Sequence, residues 1–277
     1  MSQLKVAVDI MGGDRAPQAV CHAVIAQALK QPNVTFYAVG LAETLAQYFT
    51  TRPSNVVIVP SETEVMMSMS APEACRMGKS SSIGKMIDML KEGEVDSALS
   101  CGNTAALMSL AYLMLKPQEG VRRPAILSSV SFQGKRIHIT DLGANIQVKS
   151  EDLLSNATTA ASLHNDPLPS IGLLNVGKEA EKGTAIVKEA DQLLKESSLN
   201  YKGFIEGHDI LSAKVDIVVC DGFVGNCLTK LLESMSALLK QQNVNEELLP
   251  RFHKAALLAG LNGRVYKAHG DSSQLAI

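Results

Sequence analysis

Short apolar or β-branched runs alternate with longer Ala-rich or amphipathic runs along nearly all of the 277-residue chain. Residues 5–10 are β-branched and apolar and predict a strand, whereas residues 17–29 are rich in Ala and predict a helix. Alternation of this kind is typical of a mainly parallel sheet with helices on both faces. We therefore predict an α/β protein with three α/β/α layers.

The same patterns place the other elements. Further strands are predicted at residues 34–39, 56–59, 96–100, 125–132, 136–140, 171–175, 201–206 and 216–220, and further helices at 43–49, 82–92, 104–115, 150–164, 184–194 and 227–240. Ser150 is the predicted N-cap of its helix. Gln133 and Gly134 separate two strand-like runs and predict a hairpin, hence a short antiparallel portion. No domain boundary is visible, so residues 1–277 are predicted to form a single domain.

Composition excludes several classes of protein. Apolar residues make up 46% of the chain, which argues against disorder, and a net charge of −2 argues against nucleic-acid binding by bulk electrostatics. The five cysteines are scattered without zinc spacing and are expected to be reduced thiols of a cytoplasmic protein. No signal-peptide pattern and no apolar run of membrane-spanning length is present.

Polar residues and glycines follow five of the predicted strands. In an open α/β sheet, ligands bind at the carboxyl ends of the strands, where glycine-lined backbone and helix N-termini favour anions. Each motif alone is also an ordinary turn, but their recurrence indicates a phosphate-binding cleft. The predicted phosphate- and substrate-binding residues are Asp9, Gly12, Gly13, Asp14, Gly102, Asn103, Thr104, Asp141, Gly143, Asn145, Asp221 and Gly222.

Familiar catalytic motifs are absent from the sequence. It contains no dinucleotide fingerprint after the first strand, no Walker A motif, no GxSxG and no HExxH helix. We therefore expect neither a cofactor nor a metal. The charged segment 178–183 has two interpretations: a solvated loop before a helix, or a loop whose lysine neutralises phosphate or a developing oxyanion.

Several long motifs follow one another along the chain: VDIMGGD at 8–14, SCGNTAALM at 100–108, TDLGAN at 140–145, LLNVGKEAEKG at 173–183 and VVCDGFVGN at 218–226, with a further segment at 261–270. Together they resemble the PlsX family of phosphate acyltransferases. The resemblance implies a fold like that of isocitrate and isopropylmalate dehydrogenases and of phosphate acetyltransferase. It also implies a homodimer that transfers a fatty acyl group from acyl-carrier protein to inorganic phosphate, giving acyl phosphate for phospholipid synthesis.

The resemblance assigns the catalytic pair to Lys182 and Asn226. The acyl-carrier protein is acidic and would dock on basic residues of this chain, for which there are two candidate clusters. One comprises Arg76, Lys79 and Lys85, and the other Arg122 and Arg123. The product would feed a membrane glycerol-3-phosphate acyltransferase, which places the protein in the cytoplasm or at the inner face of the membrane.

The chain departs from the family pattern at residues 241–260, which are shorter than usual, and at the C-terminus, where relatives continue. Three alternatives stay open. A short-chain phosphate acyltransferase that uses coenzyme A would need the same anion site. A dehydrogenase of the related fold would need acidic metal ligands that the sequence does not place. A non-catalytic relative would only bind carrier protein or a membrane acyltransferase.

Overall fold

The computed structural model describes residues 3–245, 249–253 and 255–268. The chain divides into two compact units. Unit 1 is formed by the chain up to Pro117 together with the part that follows His253, and unit 2 is Gln118–His253. The subdivision was not visible in the sequence, because the residues around 117 and 253, where the chain passes from one unit to the other, have no linker-like composition.

The elements are numbered in chain order. The part of unit 1 before Pro117 contains β1 (Leu4–Asp9), α1 (Gln18–Lys30), β2 (Val34–Leu41), α2 (Ala42–Tyr48), β3 (Val56–Ser61), α3 (Ala71–Met77), a short 3-10 helix (Gly78–Ser80), α4 (Ser82–Lys91), β4 (Ser97–Ser100) and α5 (Thr104–Leu115). Unit 2 contains β5 (Ala125–Phe132), β6 (Lys135–Thr140), α6 (Ser150–Ser162), β7 (Ile171–Leu174), α7 (Ala185–Glu196), β8 (Tyr201–Ile205), α8 (Gly207–Leu211), β9 (Ile217–Val219), α9 (Gly222–Gln241) and β10 (Arg251–Phe252). The chain then adds β11 (Ala255–Ala259) and β12 (Val265–Ala268) to unit 1.

The sheet of unit 1 has the order β3-β2-β1-β4-β12-β11. All neighbours are parallel except β11, which pairs antiparallel with β12. Asp9 of β1 and Lys267 of β12 both stand opposite Ser100 of β4. The carboxyl ends of these three strands therefore lie side by side.

The sheet of unit 2 has the order β5-β6-β9-β7-β8, with β10 also pairing with β5. β5 is antiparallel to both of its neighbours in this unit, and β6, β9, β7 and β8 are parallel. Val219 of β9 stands opposite Thr140 of β6 and Leu173 of β7. The loops that follow these strands consequently begin at one edge of the sheet.

The strands of each unit carry apolar and β-branched side chains that are buried. Ile139, Ile171 and Ile217 in unit 2 have no exposed surface, and Val8 and Phe36 in unit 1 are buried in a cluster formed with α1 and α2. Continuous burial of this kind is expected where a parallel sheet is covered on both faces. The packing therefore leaves the strand ends as the places where polar groups collect.

The structure confirms the mainly parallel α/β fold and its short antiparallel portion. The predicted hairpin is β5–β6, whose turn residues Gln133 and Gly134 both have positive φ. Two details differ. Ser150 is the first residue of α6 and Asp152 accepts from the Lys149 amide at 2.9 Å, so the cap is an acidic side chain inside the helix. α9 begins at Gly222, five residues earlier than expected, because Asp221 caps it.

Candidate active site

Asp9 is the polar centre of unit 1. Its side chain is fully buried at the end of β1, where Oδ2 accepts a 2.7 Å hydrogen bond from Ser100 Oγ and Oδ1 accepts one of 3.1 Å from the Met11 amide. Burial raises the pKa of Asp9, although these hydrogen bonds oppose the shift. Asp9 therefore ties together the loops that follow β1 and β4.

Two predicted glycines allow these loops to touch. A Cβ on Gly12 would lie 2.5 Å from Gly102 Cα and 2.6 Å from Asp9 Oδ2. No side chain fits at that separation, so backbone packs directly on backbone. Gly13, with φ of 123°, and exposed Asp14 follow immediately. The structure thus brings Asp9, Gly12 and Gly102 together as predicted neighbours.

Asn103 is engaged on both sides of its amide. Its Oδ1 caps α5 by accepting from the Ala106 amide at 3.0 Å. Its Nδ2 donates to the carbonyls of Met67 and Met69, at 3.0 and 2.8 Å. Thr104, the first residue of α5, is exposed. Asn103 consequently fixes both the start of α5 and the segment before α3. The neighbouring residue, Thr104, is the one that is exposed to solvent.

Lys267 is a residue of this strand edge that the sequence analysis did not single out. It lies in β12 opposite Ser100, and its Nζ donates to the carbonyls of Cys101 (3.1 Å) and Ala268. Its charge lowers the pKa of Asp9, against the larger effect of burial. The signal that could have found it is its place in the family-like segment 261–270.

Asp141 organises the loop after β6 in unit 2. Its fully buried carboxylate accepts five hydrogen bonds of 2.7–3.2 Å. Four come from backbone amides, those of Ile126, Gly143, Ala144 and Asn145, and the fifth from the Asn145 side chain. Burial nevertheless raises the pKa of Asp141. Asp141 thus shapes this loop from within rather than presenting a charge at its surface.

The start of α9 packs against that loop. The Gly222 amide donates to the Asn145 carbonyl at 2.9 Å, and a Cβ on Gly225 would lie 1.9 Å from the Asp141 carbonyl oxygen. A Cβ on Gly143 would lie 3.5 Å from the Asn226 Cβ. Asn226 is therefore an exposed residue of the second turn of α9, beside the Asp141 loop, and not part of a turn as the sequence suggested.

Lys182 lies in the loop that follows β7, the neighbour of β9. Its side chain is exposed, and its Cγ would be 3.3 Å from a Cβ on Gly177. Asn175 Nδ2 donates to the Lys182 carbonyl at 3.2 Å. Lys182 and Asn226 are thus carried by elements that follow neighbouring parallel strands of unit 2.

One group of side chains in the described residues has the ligand types of a metal site. Ligand atoms of Glu206, His208 and Asp209 lie within 4.8 Å of one another. However, Asp209 Oδ2 is 2.8 Å from Lys178 Nζ, and Lys214 Nζ contacts Oδ1. Two ammonium groups already satisfy this carboxylate, so the cluster does not fit a cation.

The strand edges of the two units share a chemical character. Both carry glycine-lined backbone, helix N-termini and neutral amides, and the edge of unit 2 adds the exposed ammonium group of Lys182. Groups of this kind are typical of the class of α/β proteins that bind phosphate at the carboxyl ends of their strands.

Comparison with known proteins identifies the family. A family model described as "Fatty acid synthesis protein" matches residues 4–248. A phosphate acyltransferase from Alkalilimnicola ehrlichii is 35% identical over 98% of this chain and 88% of its own length. The chain belongs to this family of phosphate acyltransferases, the PlsX family, and is an acyltransferase that transfers an acyl group to phosphate.

Solved structures share the fold at low sequence identity. A phosphotransacetylase from Streptococcus pyogenes superposes with a TM-score of 0.71 at 17% identity, covering 99% of this chain and 91% of its own. A 4-hydroxythreonine-4-phosphate dehydrogenase from Burkholderia phymatum gives a TM-score of 0.56 at 13% identity, with coverages of 99% and 93%. The predicted likeness of the fold to phosphate acetyltransferases and to dehydrogenases is thereby confirmed.

Among the described residues, no helix combines the length and the apolar character that crossing a bilayer requires.

Proposed function

We propose that the acyl donor is a fatty acyl thioester of acyl-carrier protein and that the acyl phosphate produced serves phospholipid synthesis. The observation that supports the catalytic pair of this reaction is the position of two exposed residues. Lys182 follows β7 and Asn226 follows the neighbouring strand β9. One supplies a positive charge and the other a neutral hydrogen-bond donor.

The reaction needs no protein nucleophile. An oxygen of hydrogen phosphate attacks the thioester carbonyl, the C–S bond breaks, and the phosphate proton passes to the leaving thiolate. Lys182 stabilises the charge on phosphate or on the tetrahedral oxyanion, and Asn226 donates a hydrogen bond beside it. In unit 2, the glycine-lined turn of Gly143 lies after β6 and beside Asn226.

Replacement of the lysine tests the assignment. Lys182→Ala should lower kcat for acyl phosphate formation by about 100-fold or more, because it removes a donor to developing charge. The assay combines palmitoyl-carrier protein with labelled phosphate and scores acyl phosphate. Lys202→Ala, at an exposed lysine of β8, is the control and should keep wild-type turnover. Wild-type turnover in Lys182→Ala would reject the role of Lys182.

The nature of the donor separates the remaining alternatives. Palmitoyl-carrier protein should be preferred over palmitoyl- or acetyl-coenzyme A in kcat/KM. Preference for acetyl-coenzyme A would identify a short-chain enzyme. Binding of carrier protein without acyl phosphate formation from any donor would identify a non-catalytic relative.

We also propose a homodimer, and one face of α9 supports it. Exposed or partly exposed apolar residues recur along this helix at intervals of four and three residues: Val224, Leu228, Leu231, Met235 and Leu238. That spacing forms one stripe suited to a second helix of the same kind. A second copy of the chain would cover the stripe.

The acidic carrier protein requires a basic surface, and the structure limits the two candidate clusters. Lys79 Nζ lies 2.6 Å from Asp88, and Arg122 lies 3.7 Å from Asp152, so both charges are partly neutralised within the protein. Docking is therefore proposed through the remaining members, Arg76 with Lys85 or Arg123. Delivery of the product to a membrane glycerol-3-phosphate acyltransferase would place the enzyme at the inner face of the membrane, in the cytoplasm.

A further inference from the structure

The loop from Lys178 to Lys182 is attached to unit 2 at both ends, and we infer that the Lys178–Asp209 ion pair is a positioning device for Lys182 in acyl transfer. The inference rests on the proposed role of Lys182. It adds a residue pair to which neither the sequence motifs nor the family comparison assigns a function.

Asp209 holds the first end of the loop. Its side chain is completely buried, and Oδ2 lies 2.8 Å from Lys178 Nζ and accepts a 3.1 Å hydrogen bond from the Glu206 amide. Oδ1 contacts Lys214 Nζ and lies 3.2 Å from His208 Nε2. A buried carboxylate held between two ammonium groups and a backbone amide has a fixed orientation, so it fixes Lys178 as well.

β-strand register explains why Asp209 can reach this loop. β7 and β8 are parallel, with Leu174 opposite Ile205, and the Asn175 amide donates to the Ile205 carbonyl at 2.9 Å. The loop after β7 and the helix after β8 therefore start together. Asp209 lies in α8, which immediately follows β8, and so faces the start of the Lys178 loop.

Asn175 holds the second end of the loop. Its Nδ2 donates to the Lys182 carbonyl, and a Cβ on Gly183 would lie 2.3 Å from its Oδ1. Gly183 has a φ of 92°, which also favours glycine. Between the two ends, the Lys182 amide donates to the Glu179 carbonyl at 3.1 Å and closes a tight turn. The segment is short enough that displacement of Lys178 moves Lys182.

The charges around Asp209 agree with this geometry. Lys178, then Lys214, lower the pKa of Asp209, and Asp209 raises the pKa of Lys178. The ion pair is therefore present throughout the neutral range. Lys214 provides a matched control, because it binds the same carboxylate from outside the loop with a similarly exposed side chain, 51% against 46%.

Hydrogen exchange tests the attachment without reference to activity. In Lys178→Met, amides of the loop, including that of Lys182, should exchange about tenfold faster because the first end is released. Lys214→Met should leave their exchange unchanged. Equal acceleration in both variants, or none in Lys178→Met, would overturn the inference.

Steady-state kinetics with palmitoyl-carrier protein test the consequence. Lys178→Met should lower kcat about tenfold, the scale of a misplaced catalytic group, with KM for the donor unchanged. Lys178→Arg should restore most of kcat, and Lys214→Met should stay within about twofold of wild type. Combined with Lys182→Ala, Lys178→Met should add no further loss, because it acts through Lys182.

The possible failures are distinguishable. Loss in Lys214→Met equal to that in Lys178→Met would show that the Asp209 network is merely structural. A multiplied loss in the double variant would show that Lys178 acts on substrate directly. Wild-type kcat in Lys178→Met, with Lys182→Ala impaired, would overturn the positioning role alone. Wild-type kcat in Lys182→Ala would instead reject the proposed function of that residue.

Discussion

Asp141 shows how one side chain can determine the form of a loop. A fully buried carboxylate that accepts five hydrogen bonds replaces the secondary structure that the loop after β6 lacks. Two of these bonds, both to Oδ2, come from Asn145, whose carbonyl in turn accepts from the Gly222 amide at the start of α9. The position of Asn226 therefore depends on an acidic residue that need not touch substrate.

Asp141→Asn should lower the unfolding free energy by about 2 kcal/mol or more. The new amide group would point at the two partly buried Asn145 donors that Oδ2 now satisfies, leaving them without an acceptor. Urea denaturation at neutral pH measures the change. Asp166→Asn, at an exposed aspartate that accepts from the Leu168 amide, is the control and should change stability little. A near-neutral Asp141→Asn would contradict this account of the loop.

At the scale of single residues, the sequence predicted positions better than roles. Asp9, Gly12 and Gly102 were predicted near one another and are in contact. The ligand contact of Asn103 stays a prediction from residue type, and the structure adds that its amide is bonded to backbone. Such roles depend on three-dimensional partners far along the chain, which a local motif does not reveal.

Helix α9 shows, at the scale of an element, that a sequence pattern predicts a helix but not the partner that its apolar face contacts. The sequence predicted an amphipathic helix, and the structure gives it 20 residues. Leu232 is buried, whereas Leu231 and Leu238 of the apolar stripe are 58% and 59% exposed. Periodicity indicates that a face is apolar, but it does not distinguish a face that packs within the chain from one that packs on another chain.

Charge on this stripe should dissociate the proposed dimer. Leu231→Glu and Leu238→Glu should each raise the dimer dissociation constant about tenfold or more, because a carboxylate cannot be buried unpaired at a helix interface. Sedimentation equilibrium measures the constant. Leu168→Glu, at a leucine that is 60% exposed outside the helix, should leave it unchanged. A monomeric wild type, or unchanged association in both α9 variants, would reject the proposed interface.

The strands at the end of the described chain were missed for a physical reason. β10, β11 and β12 have two, five and four residues. Length is not the reason, since β4 and β9 are as short and were predicted. β10 and β12 instead depend on pairing with β5 and β4, which lie more than 100 residues away and which a local pattern does not reveal. Longer buried strands such as β2 and β5 were predicted within two residues of their observed bounds.

At the scale of the whole molecule, stability should depend on pH through a partly buried histidine. Burial lowers the pKa of His138 from 6.5, and the nearby charges of His164, Arg136 and His253 lower it further, against the opposite effect of Asp216. The Nδ1 of His138 is buried without a hydrogen-bond partner, and its ring meets that of His164 edge-on at 5.0 Å. The unfolded chain therefore binds a proton here more tightly than the native protein does.

The unfolding free energy should fall as the pH is lowered through about 6.5 toward the folded-state pKa of His138, because the unfolded state then binds more protons. His138→Phe should reduce this dependence while keeping a ring next to His164. Urea denaturation at about pH 7.5 and about pH 5.5 measures it. His22→Phe, at an exposed histidine, should retain the wild-type dependence, and an unaltered slope in His138→Phe would contradict the assignment.

The path of the chain between the units has a consequence for biosynthesis. β12 lies between β4 and β11 in the sheet of unit 1, yet its residues are translated after every residue of unit 2. A nascent chain emerging from the ribosome can therefore finish the second unit while the first still exposes the β4 edge and lacks Lys267. The first unit, and with it the environment of Asp9, is therefore completed late in translation.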